Sequence, residues 1–169
     1  DIILDSFSSF HPEISNLAEL FFKNNWIDAS LRKGKASGAF AHPSVPSLHP
    51  YILVNYQGKI RDVMTLAHEL GHGIHQILAG KNGLLMAETP LTLAETASVF
   101  GEMLVFRKLL DESSITQKKQ LLSGKIEDML NTVARQIGFH QFEVKFHEAR
   151  IKSELTPVSY THLTLPTNP

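Results

Sequence analysis

Residues 61–79 read RDVMTLAHELGHGIHQILA, and His68-Glu69-Leu70-Gly71-His72 lies at their centre. Val63, Leu66, Leu70, Ile74 and Ile77 recur at steps of three and four, which predicts an amphipathic helix over 61–79. Gly80 ends the run, and Asn82-Gly83 is a turn signal beyond it. On a helix, His68 and His72 share one face, with Cβ atoms roughly 5–6 Å apart. Both rings can then reach one Zn²⁺ at about 2.0–2.1 Å. Glu69 flanks that face, where it can hold the attacking water and act as its general base. Such a set of parts is the core of a zinc peptidase.

Gly71 and Gly73 interrupt the helix at a cost of about 1 kcal/mol each against alanine. Either the missing side chains admit a backbone or substrate to the metal face, or they serve close helix packing. His75 shares the ligand face seven residues after His68 and is a candidate for supporting a ligand or lining the cleft. The three-histidine pattern H-E-x-x-H-x-x-G-x-x-H fails, because position 75 is His and position 78 is Leu.

A catalytic zinc takes three protein ligands and leaves one position open. Thr89-Pro90 reads as a helix cap followed by proline at the first helical position. Leu93, Ala97, Phe100 and Leu104 mark an apolar stripe on the helix that follows. Glu88, Glu95 and Glu102 are spaced seven apart along it. Glu88 precedes the helix, whereas Glu95 stands on a rigid turn. Glu95 is therefore the expected third metal ligand, with Glu102 supporting a ligand histidine from behind.

His68-Glu69-Leu70-Gly71-His72-Gly73-Ile74-His75 together with Leu93-Ala94-Glu95-Thr96-Ala97-Ser98 resembles the oligoendopeptidase F branch of the thimet oligopeptidase family. Residues 32–40, RKGKASGAF, resemble that family's segment ahead of the zinc helix. The resemblance covers most of residues 1–157. It implies a mainly α zinc-dependent endopeptidase that cuts oligopeptides in a deep channel, with one Zn²⁺ on His68, His72 and Glu95 and with Glu69 as catalytic glutamate. Members are several times longer than this chain. They also carry a Tyr- and His-containing segment that resembles an oxyanion-stabilising site, which Tyr160 and His162 do not match in spacing or context. The expectation is thus an incomplete catalytic domain, weak or inactive alone. A non-catalytic zinc-binding helical module and a metal-free structural fragment are the alternatives.

The rest of the chain fits that frame. Its 169 residues suit one domain, and 43% apolar with 20% charged residues suit a soluble globular protein. A net charge of -1 gives no reason to expect nucleic acid or an anionic membrane as partner. Zero cysteines exclude disulfides, thiol catalysis and a Cys-ligated metal, and fit the cytoplasm. No signal peptide or membrane-length apolar run is visible, and a start at Asp1 fits a piece of a longer chain. Composition leaves the oligomeric state open.

Residues 13–26 pattern as an amphipathic helix, with Phe21, Phe22 and Trp26 as core. The basic stretch Arg32, Lys33, Lys35 is either a solvated loop or a flexible one that meets a peptide's carboxylates. Residues 38–42 and 51–56 read as a small β-hairpin beside the zinc helix, whose edge could pair with an extended peptide. His42 and His49 read as loop residues. Ser114-Ile115-Thr116-Gln117 reads as a capping box before a long helix to about Lys152, which Gly124 and Gly138 could bend. His140 and His147 read as packing or surface residues. From Leu155 onward there is no Asp, Glu, Lys or Arg, and Thr and Pro become dense. Residues 158–169 resemble translated sequencing-adapter sequence and are expected to be a non-native tail, with the partial peptidase domain ending at 157.

Overall fold

The helical spacing of residues 61–79 is realised as a single 21-residue helix, Ile60–Gly80. The structure, a computed structural model, describes residues 1–164. Its elements are α1 (Ile2–Phe10), α2 (Pro12–Lys23), β1 (Ile27–Asp28), β2 (Phe40–His42), β3 (Tyr51–Leu53), α3 (Ile60–Gly80), α4 (Leu91–Glu112), α5 (Ile115–Lys152) and α6 (Pro157–Thr164). The class is mainly α, with the expected strand pair beside the site-bearing helix. Two compact units divide the chain, 1–113 and 114 onward.

In the first unit, α1 is an element that sequence periodicity did not reveal. Asp1 caps it by accepting from the Ile3 N–H at 3.1 Å, and Ile3 and Phe7 are buried one turn apart. The next helix ends earlier than its spacing suggests. Asn25 takes a left-handed φ of 57°, so Trp26 leaves the helix instead of continuing it. Trp26 then stacks on His49 with centroids 3.8 Å apart and meets Phe21 edge-on. Phe7, Phe21, Ile52, Val54, Leu70 and Val105 are buried together where α1, α2, the sheet, α3 and α4 converge.

β2 and β3 pair antiparallel as expected. β1, which the sequence did not announce, adds in parallel to the other edge of β3, giving the order β1-β3-β2. The basic loop between β1 and β2 is tethered from within. Lys35 Nζ, only 2% exposed, donates to the carbonyls of Asp28, Ser30 and Val54 at 2.7–2.9 Å and to the Asp28 carboxylate at 3.1 Å. Arg32 grips the same carboxylate through two nitrogens, at 2.6 and 2.8 Å. These bonds hold the Asp28 carboxyl far below the ordinary carboxylate range, Arg32 first and Lys35 second. Asn55 closes the loop's far end by donating to the carbonyls of Ala36 and Gly38. Of the three basic residues, Lys35 is thus buried in the fold and Arg32 is held at the surface by Asp28.

The start of α3 is fixed by Asp62, whose carboxylate accepts from the N–H groups of Gln57 and Lys59 at 2.8 and 3.0 Å. The backbone bonds lower the Asp62 pKa. α4 begins at Leu91, with Pro90 in extended backbone at the cap position, so Thr89 is not the cap. The expected stripe on α4 is also shifted. Leu93 and Phe100 are exposed, and the face that packs is Ser98, Gly101 and Val105. The reason is the separation of α3 and α4. A Cβ at Gly71 would stand 2.6 Å from the Ala97 carbonyl oxygen and 2.7 Å from Ser98 Cα. Only small side chains fit such a seam.

In the second unit, Ser114 and Gln117 form the expected capping box. α5 then runs unbroken for 38 residues, through Gly124 and Gly138. None of its residues is buried, and Leu122, Ile126, Met129, Leu130, Val133 and Ile137 are exposed. Tyr160 on α6 sets its ring edge against Phe142 and Phe146. The expected tail 158–169 is described as far as Thr164, within α6; its last five residues lie outside the described part. No described helix is long and apolar enough to cross a membrane.

Candidate metal centre

Two helices bring the chemistry together. His68 and His72 lie one turn apart on α3, their rings edge-to-face at 5.0 Å. Across the seam, α4 presents Glu95. Its Oε2 stands 3.1 Å from His68 Nε2 and 3.5 Å from His72 Nε2. One ligand atom from each of the three lies within 4.8 Å of the others. The close approach at Gly71 makes this possible, because it seats the Ala94–Ser98 turn of α4 directly against α3.

Each imidazole is oriented from behind. His68 Nδ1 lies 3.2 Å from Glu102 Oε2, a carboxylate oxygen that can only accept, and this contact turns Nε2 toward Glu95. The ring of His72 faces the Ala94 carbonyl. Glu95 is itself steadied by Ser98, whose Oγ is fully buried and lies 2.7 Å from Glu95 Oε2. Spacing alone could have flagged Ser98, three residues after Glu95. The Ala94 carbonyl carries no signal in sequence.

The charges here are unequal. Burial alone would lower the His68 pKa, but the Glu102 hydrogen bond and the charges of Glu69, Glu95 and Glu102 outweigh it and raise it. For His72, burial and the neighbouring imidazoles prevail over Glu95, and the pKa falls. Glu69 is 6% exposed, and burial drives its pKa up. The Ala41 backbone N–H of β2 faces its carboxylate and offsets a small part of that rise. One carboxylate oxygen, Oε2, is buried with no hydrogen-bond partner.

The other candidates divide. His75 lies beside His72 but outside the triad; it lines a hollow of about 140 Å³ with Phe7, Ile14, Gly71 and Phe100. Glu88 is exposed in the loop before α4 and also stands apart from the triad. His42 Nδ1 accepts from the Ser44 N–H and His49 stacks on Trp26, so neither joins the centre. The two readings of the glycines resolve into packing that shapes the site: Gly71 admits the α4 backbone, and Gly73 admits the Phe21 ring. The edge of β2 is not open at Ala41. Its N–H faces Glu69, and its carbonyl accepts from Gln76 Nε2 at 3.3 Å.

Two imidazoles and one carboxylate, converging on a point reached from solvent along the 64%-exposed Glu95 side chain, match the donor set of a catalytic zinc. The orphaned Glu69 oxygen beside them is a polar group that lacks its donor.

Comparison with known proteins agrees. The profile of peptidase family M3 matches residues 6–164. The chromosomal oligoendopeptidase F of Lactococcus lactis subsp. cremoris is 34% identical over 148 residues, covering 86% of this chain and 24% of that protein. Oligopeptidase PepF of Bacillus subtilis (strain 168) is 29% identical over 166 residues, covering 96% and 25%. A crystal structure from Chlamydophila abortus assigned to a peptidase is 33% identical, with a TM-score of 0.74 over 89% of this chain and 26% of that one. PZ peptidase A, solved with an inhibitor, shares the fold at 18% identity and a TM-score of 0.71, covering 82% and 25%. The chain thus spans about a quarter of the length of the relatives it matches. With a family profile running through nearly its whole length, the chain belongs to peptidase family M3, in its oligoendopeptidase F branch.

Proposed function

We propose that this chain is the zinc-binding portion of an endopeptidase that hydrolyses oligopeptides, with His68, His72 and Glu95 as metal ligands and Glu69 as general base. The observation that carries this reading is the convergence of those three ligand atoms within 4.8 Å, beside a buried carboxylate oxygen with no partner. A zinc ion held there would polarise the scissile carbonyl and bring the pKa of water toward about 7.

The chain's own residues supply the proton chemistry. Glu69, desolvated and faced by the Ala41 N–H, keeps Oε2 free to accept the attacking water's proton and hand it to the leaving amine. Glu102 and the Ala94 carbonyl hold the imidazoles in orientation, and Ser98 does the same for Glu95. Oligopeptides are the substrates in this reading, and the cytoplasm is the setting that a cysteine-free chain suits. His75 beside the ligand face is assigned to the cleft wall.

The Tyr- and His-containing segment of the resembled family is not matched in these 169 residues. Loss of one oxyanion donor costs about 10²–10³ in turnover. The isolated chain should therefore hold zinc well and cut peptides slowly. The test is zinc content together with chelator-sensitive cleavage of a quenched fluorescent peptide. Glu69→Gln should leave zinc bound and remove the residual cleavage. A variant that cuts as fast as the parent would refute the general-base role. Bound zinc with no chelator-sensitive cleavage would leave a metal-binding module only.

A further inference from the structure

The register of the small sheet determines where Ala41 points. Ile52 and Val54 donate to Trp26 and Asp28 of the neighbouring parallel strand, so their backbone polar groups face β1. Ala41 is the antiparallel partner of Ile52. Its own N–H and C=O must then point away from β3, toward α3. Two side chains of α3 lie on that side: Gln76, whose Nε2 donates to the Ala41 C=O at 3.3 Å, and Glu69, whose carboxylate the Ala41 N–H faces. These side chains are seven residues apart, two helical turns on one face. The Gln76 amide can sit only one way round, because its reverse would set oxygen against the Ala41 carbonyl. Its other atom, Oε1, is buried without a partner.

We propose that Gln76 is a positioning residue for Glu69, acting through the backbone of Ala41. Gln76 holds the carbonyl of Ala41, on the far side of its Cα from the N–H, and so restrains the backbone torsions of that residue. The Ala41 N–H is thereby aimed at one Glu69 oxygen, and the other is left toward the metal ligands. This rests on the general-base role of Glu69 and extends it to a residue that neither the motif nor the ligand spacing selects.

The experiment uses the zinc-loaded 169-residue chain and two variants. Gln76→Met keeps the length of the side chain but removes the donor; Gln76→Lys keeps a donor. Amide hydrogen exchange at Ala41, zinc affinity, and kcat and KM for the quenched peptide are measured for each. For Gln76→Met, Ala41 exchange should quicken by about tenfold, the scale of one lost hydrogen bond. Its kcat should fall by about the same factor, with KM and zinc affinity unchanged, and Gln76→Lys should recover most of both losses. Unchanged Ala41 exchange in Gln76→Met would overturn the proposal, as would a fall in zinc affinity parallel to the fall in kcat. Glu69→Gln keeps the two ideas apart. If it leaves cleavage intact while Gln76→Met loosens Ala41, the base assignment fails and the clamp survives only as packing. If it abolishes cleavage while Gln76→Met alters nothing, the positioning role alone is wrong.

Discussion

His68 and His72 are the same residue type one turn apart, yet the fold moves their pKa values in opposite directions. Metal needs both rings neutral, so protons compete with zinc, first at His68, where the pKa is raised. In the metal-free chain that raised value contributes stability at pH below the unfolded value of about 6.5. The contribution is lost as pH rises through the folded value. In the presence of zinc the sign reverses: apparent affinity should fall as pH drops through that same value. Glu102→Gln removes the carboxylate partner that raises His68, so the fall should begin at lower pH. The variant should also weaken zinc overall by about 10–100-fold. Chelator-competition titrations from about pH 5 to 8 would show this, and an unmoved onset would discount the Glu102–His68 bond. At this scale, the convergence of His68 and His72 was legible in the string, because helical periodicity maps spacing onto a shared face. The Ala94 carbonyl and the Ala41 N–H were not visible, since any residue type can offer a backbone group.

The seam between α3 and α4 governs how those residues meet. Alanine at Gly71 would drive its Cβ into the Ala97 carbonyl and Ser98 Cα, both backbone atoms that cannot step aside. Gly71→Ala should destabilise the chain by about 1–3 kcal/mol despite alanine's better helix propensity. At Gly124 nothing stands within 4 Å of the added carbon, and Gly124→Ala should stabilise by up to about 1 kcal/mol. Thermal unfolding of the two variants should therefore shift in opposite directions. Equal shifts would mean that the close approach is absent in solution. Helix existence was legible from periodicity, but the packing face of α4 was not. Leu93 and Phe100 suggested one stripe, whereas the approach of the two backbones selected Ser98 and Gly101, which hydrophobic counting ignores. α1 escaped because nine serine-rich residues give too few turns for a period to emerge.

The molecule as a whole divides its apolar residues unevenly. Phe7 is fully buried in the first unit, so Phe7→Ala should cost about 3–5 kcal/mol. Met129 on α5 is 59% exposed, and Met129→Gln should change stability by no more than about 0.5 kcal/mol. Denaturant titration of both variants checks this contrast; a comparable loss at Met129 would mean that the α5 face is covered in solution. The sequence marked that face as apolar but could not say whether anything covers it, since periodicity identifies a stripe and never its counterpart. The mainly α class and the strand pair beside the helix of His68 and His72 were readable from pattern. The two-residue β1 was too short to be read.

The cage around Lys35 sets a rule of substitution. Three carbonyls and a carboxylate oxygen surround a single nitrogen that is almost sealed from water. A compact ammonium with three swivelling donors fits such a cluster, whereas a longer, flat guanidinium cannot turn its fork toward all four. Among chains built on this loop, the position should accept lysine and reject arginine, even though the neighbour at 32 makes good use of arginine's two-pronged grip.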